Sequence, residues 1–416
     1  MSQDQLAELS RLLYSPVTLL LYGTSAAFYL YSLTTTVGRQ DQPRGGGRLA
    51  ALGYGRIARW LGSALAIAGI TAHVSHEVLR GIVQERLPLG NMFEFTSAMA
   101  LAGVVAGLVY LQFVRKRPEL NGFVMMAGTL VLASALLVYS SPGPLQPILD
   151  TWWRSFHVTL IVISAGILTA GFVFTALYLL RDTAERRVAA ARTAVTAGST
   201  VGAAHVSDLH SADDASSVAE RVAPDGRDPA GTPEDDDRAD DEDAVRYRTA
   251  LRAAISPWKL ALFTFLGTST VSWVFIATPT LEVGTGVQRF LSVNLGLVAA
   301  ALIARWFVPF LPPAATLDGL AYRTIALGFF GWTFGVIAGA MWAEQSWGRF
   351  WGWDPKETGS FLTWVAYAAY LHARATRGAR GRSAGWIGLW AFAVLMFTYY
   401  GVNLVIVGLH SYAGLQ

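Results

Sequence analysis

HVTLIVISAGILTAGFVFTALYLL fills residues 157–180 without one Asp, Glu, Lys or Arg. About 20 such residues are what a helix needs to cross the hydrocarbon of a bilayer. Non-helical backbone at that depth would leave its N–H and C=O groups unpaired, so the run reads as a transmembrane helix. Working outward, the same reading takes in ten stretches: about 12–34, 57–80, 91–114, 121–141, 155–181, 257–279, 287–311, 320–342, 358–374 and 384–409. The first is too long for the apolar core of a cleavable signal. With 53% hydrophobic and 15% charged residues over 416 positions, the composition excludes an ordinary soluble domain. The expected fold class is all-α: a polytopic membrane helix bundle of about ten transmembrane helices.

Charge is unevenly spread. Of the 29 acidic residues, 16 fall in 182–256, and EDDDRADDED (234–243) is nearly all acid. Such a segment has too little apolar surface to order itself, which predicts a disordered acidic cytoplasmic linker over 183–256. The remainder is strongly basic, with arginines grouped in 35–59, 115–120 and 374–383. All three groups fall on one side of a ten-span bundle, the cytoplasmic side. The basic balance therefore reflects membrane topology and gives no sign of nucleic acid. Both termini, and the loop near residue 350, are expected on the outer face of a bacterial plasma membrane. The organisation expected is an N-terminal region of about five spans (1–182), the linker (183–256), two additional spans (257–312) and a C-terminal core (313–416). Cysteine is absent, so the chain has no disulfide, thiolate ligand or thiol nucleophile.

The loop is WGRFWGWDPKETGSFLTW (347–364), with Trp342 just upstream. Trp347, Trp351 and Trp353 give it flat aromatic surface, and Arg349, Asp354 and Lys356 give it charge. Indoles gather at membrane interfaces anyway. Asp354-Pro355-Lys356-Glu357 also reads as a helix start, with Asp354 as N-cap and Glu357 reaching back. Neither reading accounts for the flanking histidines. His157 opens the fifth span and His410 closes the tenth, so both reach the level of this loop. His372 lies inside the ninth span, roughly 20 Å below that surface at 1.5 Å per residue. A histidine near an interface is more often a hydrogen-bonded anchor than a ligand, but an ionisable group at membrane depth is a functional candidate. Two imidazoles could clamp a flat iron porphyrin from opposite faces, with tryptophans as walls and Arg349 and Lys356 on its propionates. Gly331, Gly335 and Gly339 recur on one helix face and read as close helix packing. His73 and His76 stand one turn apart near the outer end of the second span, and His205 and His210 fall in the linker.

At these residues the chain resembles the CcsA/ResC family of cytochrome c assembly proteins, which share a tryptophan-rich loop with CcmC and CcmF. The likeness runs through GVIAGAMWAEQSWGRFWGWDPKETGSFLTW (335–364), YAAYLHAR (367–374) and GVNLVIVGLHSY (401–412), and also LDGLAYRTIALGF (317–329) and WWRSFHVTL (152–160). The resemblance implies two stations for haem b. The outer one is matched by His157 and His410, the inner one by His372, whose opposing histidine comes from a ResB-type membrane partner. It further implies apocytochrome c as acceptor and a thiol-reducing protein to supply its C-x-x-C-H motif. The role the resemblance implies is that of the membrane subunit of a cytochrome c synthase, with Trp342, Trp347, Trp351, Trp353, Arg349, Asp354 and Lys356 expected around the bound haem. There are two departures. Many members have a histidine where ERLPLGNMFEF (85–95) has Arg86, which leaves that loop without support for a haem role. Residues 183–312 are also longer than the family suggests. The competing readings are an exporter of haem or another amphipathic anion without synthase activity, and a purely structural subunit.

Overall fold

The structure is a computed structural model describing residues 2–37, 46–143, 151–200, 233–278, 282–376, 381–406 and 408. Every regular element among them is helical. The principal helices are α1 (Gln3–Leu12), α2 (Leu19–Val37), α3 (Gly46–Gln84), α4 (Met92–Val109), α5 (Asn121–Leu136), α6 (Trp152–Thr200), α7 (Pro233–Ala253), α8 (Pro257–Ser272), α9 (Val283–Phe307), α10 (Ala314–Trp347), α11 (Pro355–Ala375) and α12 (Arg382–Met396). Nine helical stretches among the described residues are long and apolar enough to cross a membrane, and this is a multi-pass membrane protein. Large apolar side chains face outward, including Trp60, Phe113, Trp258 and Phe330, as a lipid-facing surface requires. Expected span 358–374 forms helix α11, but it is not among the nine. It opens on Lys356 and Glu357 and closes on His372 and Arg374, and these polar ends dilute its apolar middle.

Helix α6 is the axis of the bundle. Its most apolar stretch is 61% buried, against 17% for the two additional spans around α8 and α9, which therefore sit at the periphery. Helix α10 runs antiparallel along α6, and its glycines set the separation. A Cβ at Gly328, Gly331, Gly335 or Gly339 would stand 2.5–2.7 Å from Leu168, Ser164, Ile161 or His157 respectively. The expected packing stripe is thus real, and its last step rests on an imidazole.

The segment expected to be a linker differs at its flanks. Helix α6 continues to Thr200, and α7 begins at Pro233. Ala184 and Val188 pack with Ala250, Leu251, Ala254 and Ile255. The Arg192 guanidinium lies 5.2 Å from the Tyr247 ring centroid, and Arg187 Nη1 donates to the Ala254 carbonyl at 2.6 Å. The two flanks form an antiparallel helical pair. The residues that pack, such as Ala184 and Val188 or Ala250 and Ala254, recur at helical spacing, a narrow stripe that the charge count concealed. Residues 201–232, with His205 and His210, lie outside the described residues.

Candidate functional site

Trp342 and Trp347 end α10, Gly348 caps it in the left-handed conformation (φ +67°), and Asp354 starts α11. The expected capping box is present: Glu357 Oε2 accepts from the Asp354 N–H at 3.2 Å, while the Asp354 carboxylate accepts from the Lys356 N–H at 3.4 Å. Glu357 does more than cap. Its Oε2 also accepts from the Gly352 N–H at 2.7 Å, and its Oε1 accepts from Arg349 Nη1 at 3.2 Å. One buried carboxylate thus gathers the loop from residue 349 to 354. Trp353 sits in it at φ +57°, a conformation that bulky side chains rarely adopt. Its indole is 67% exposed.

His157 stands on α6 beside this loop. Its Nδ1 lies 2.7 Å from the Gly335 carbonyl oxygen. A carbonyl only accepts, so Nδ1 carries the proton and the lone pair of the neutral ring falls on Nε2. That fixes the tautomer, as a carbonyl bonded to the other ring nitrogen does for metal-bound histidines. The ring stacks on buried Trp342 (centroids 6.1 Å apart, planes at 22°), which in turn meets Trp347 at 5.1 Å. Trp351 and Trp353 meet edge to face at 5.9 Å.

His157, Trp342, Trp351, Lys356 and Glu357 together line a cavity of 160 Å³, whose lining does not include Trp347 or Trp353. Enclosed ligand pockets are usually about 300–1,000 Å³, so the described residues leave a seat too small to enclose a large flat ligand. Lys356 is partly buried, and desolvation pushes its ammonium down to about 7 while Asp354 opposes the shift.

The remaining expected residues are placed as follows. Arg349 is committed to Glu357, so it shapes the loop before it can meet a ligand. His372 is on α11, exposed on the outside of the bundle, roughly 25 Å along the helix axis from the loop. Below it, Arg374 Nη1 donates to Asp318 at 2.5 Å and ties α11 to α10. His410 lies outside the described residues, but a Cβ on Gly408 would stand 2.7 Å from Asp354 Oδ1. The chain leading to His410 therefore passes the loop. Trp364 belongs to packing: its Nε1 donates to Thr333 Oγ1 at 3.0 Å.

Several lining residues were not anticipated. Thr398, Tyr399 and Asn403 follow α12, Arg154 comes from α6, Gly90 from the loop before α4 and Phe95 from the first turns of α4. Arg154 lies one turn before His157, a helical spacing that could have flagged it; the others carry no signal in sequence. His73 and His76 lie elsewhere. His73 bonds Tyr22 and Ser97 at 3.2 and 3.0 Å, and His76 Nδ1 bonds the Ser10 carbonyl at 2.8 Å. His76 lines a second cavity of 330 Å³ with Tyr14, Arg80 and Phe93.

The sequence profile described as Cytochrome C assembly protein matches residues 89–410. The cytochrome c biogenesis protein CcsA of Gloeobacter violaceus is 30% identical over 361 residues, covering 85% of this chain and 86% of that protein. CcsA of Microcystis aeruginosa is 54% identical over 99 residues, or 24% of this chain and 30% of its own. CcsA of Synechococcus elongatus shows the same identity over the same length. By the length of the profile match and the coverage of the first relative, the chain belongs to the cytochrome c assembly protein family.

Proposed function

We propose that this protein is the membrane subunit of a cytochrome c synthase. It seats haem b as substrate on the tryptophan loop, between His157 and His410, and presents it to an apocytochrome C-x-x-C-H motif. The observation that carries the reading is the His157 bond to Gly335, which puts the ring's lone pair on Nε2 while the imidazole lies stacked on the Trp342 indole. Imidazole is the usual axial ligand of haem iron. Lys356 in the cavity wall offers a partner for a propionate, and the Asp354–Glu357 clasp holds the loop in register.

Thioether formation adds each S–H across a haem vinyl group, sulfur to one carbon and hydrogen to the other, with no net oxidation. The protein's contribution is then placement of the macrocycle against two incoming thiols, a proximity effect. A chain without cysteine has no thiol of its own to compete for the vinyls.

His372 fits a second station shared with another chain. It is exposed on α11, so a ResB-type membrane partner can bring an opposing histidine to it from outside the bundle. The tryptophan loop faces outward from the plasma membrane, and the cysteine thiols are kept reduced by a separate protein.

The test is spectroscopic, then functional. Purified protein is expected to show a haem Soret band that is lost in His157→Ala and His410→Ala at normal protein yield. Haem attachment to a C-x-x-C-H reporter, in cells lacking their own system and supplied with the partner, separates synthase from exporter. A band unaffected by both substitutions defeats the reading.

A further inference from the structure

The first turn of α4 repeats the chemistry of the tryptophan loop with no tryptophan in it. Glu94 is the third residue of α4, as Glu357 is of α11. It is fully buried. Its Oε2 accepts from the Gly90 N–H at 2.7 Å, the distance at which Glu357 holds Gly352. The same oxygen accepts from Arg86 Nη1 at 3.0 Å, eight residues back, the separation from Arg349 to Glu357. Arg80 Nε donates to Oε1 at 2.9 Å, and the Asn91 side chain closes the turn by accepting from the Glu94 N–H at 3.0 Å.

A buried and a half-buried arginine around a buried carboxylate in a membrane protein are expensive, because desolvation opposes the Coulombic gain. What they hold in place faces the seat. Gly90 and Phe95 line the same cavity as Trp351, Lys356 and Glu357. Arg154, one turn from His157, donates Nη1 to the Leu89 carbonyl at 2.7 Å, fixing this loop to the helix that bears the proposed ligand. On its other side the turn presents Phe93 to the second cavity.

We infer that residues 89–95 form the second wall of the haem seat, that Phe95 touches the bound macrocycle, and that Glu94 is the positioning residue that holds this wall. The inference rests on the proposed haem site and adds contacts to it. Arg86 is explained by the same arrangement, as the cation that Glu94 requires at the loop's entry.

The absence of cysteine makes the contact directly measurable. Full-length Phe95→Cys in membranes is labelled with a permeant maleimide, with and without added haemin. Leu136→Cys, in the second cavity, is the control. Haemin is expected to slow labelling at Phe95→Cys by at least about tenfold, as a direct contact requires, and to leave the control unchanged. Loss of haem from Phe95→Cys at normal yield likewise supports the contact. In parallel, Glu94→Gln and Arg86→Gln are each expected to speed haem transfer to a scavenging apoprotein by about tenfold per molecule, the lower end for a residue that holds a ligand-contacting group in place. A merely structural role lowers yield and leaves that rate alone. If wild-type protein binds no haem, the site proposal has failed. If it binds haem while Phe95→Cys labels at an unchanged rate and both charge variants release haem normally, the second wall is overturned.

Discussion

At the scale of single residues, Lys356 makes the seat sensitive to pH. Its ammonium is pushed down to about 7, so above that pH the empty site holds mostly neutral amine. A propionate beside it favours the charged form and raises the pKa on binding. If haem binds as proposed, its affinity is then greatest and flat below about pH 7, and falls above it by at most about tenfold per unit until the raised pKa is passed. Binding titrations between pH 6 and 9 should show this slope, and Lys356→Met should flatten it. In the empty protein the unfolded chain binds the extra proton between about 7 and 10.5, so this residue makes stability rise with pH across that window. Much of the seat was legible in the sequence at this scale: the capping box of Asp354 and Glu357, and the nearness of His157 to the loop. The tautomer was not, because the Gly335 carbonyl that sets it is far away in sequence. Nor was the commitment of Arg349 to Glu357, since a bond across eight loop residues follows no helical or strand period.

At the scale of elements, the α6–α10 contact links packing to chemistry. A methyl group at Gly339 would stand 2.7 Å from the His157 ring, and two helix backbones cannot yield cheaply. Gly339→Ala is expected to cost about 1–3 kcal/mol by overpacking and to displace the imidazole from Trp342. The Soret band should weaken or shift well beyond any loss of protein. Gly319→Ala, on the same helix with open space around it, should leave both unchanged. The sequence predicted the glycine stripe but not that its last member seats a histidine. Helix α11 has its own weak point. Glu357→Ala removes the acceptor for Gly352, Asp354 and Arg349 together, and loss of the box alone costs about 1 kcal/mol. Limited proteolysis should then cut between residues 348 and 354, which the parent protein resists. The edges of the acidic segment were missed because alanine-rich stripes bury little area per turn, and such a pattern counts as polar in any average.

For the whole molecule, α6 places His157 near one end and the helical pair with α7 at the other, separated by a membrane-spanning length. The proposed topology puts them in different compartments. Single cysteines read this directly: Trp353→Cys should react with an impermeant maleimide on intact cells, and Ala215→Cys only after the membrane is opened. Labelling of both from outside would refute the arrangement. Because α6 and α7 pack on each other below residue 194 and above residue 243, replacing 201–232 by a short Gly/Ser connection should leave the haem spectrum intact. The fold class was legible because hydrophobic length is a direct physical requirement of the bilayer. The closeness of the 89–95 turn to the tryptophan loop was not, since it arises only when distant spans assemble.

A seat of 160 Å³ grips little of a macrocycle that rests on it. On the proposed function, weak enclosure suits a courier better than a store: the cargo would keep its reactive rim in the open, and the folding cytochrome, which can surround it completely, would win the contest for it. Release then asks for no hinge or gate in this protein, only for a recipient with a deeper grip.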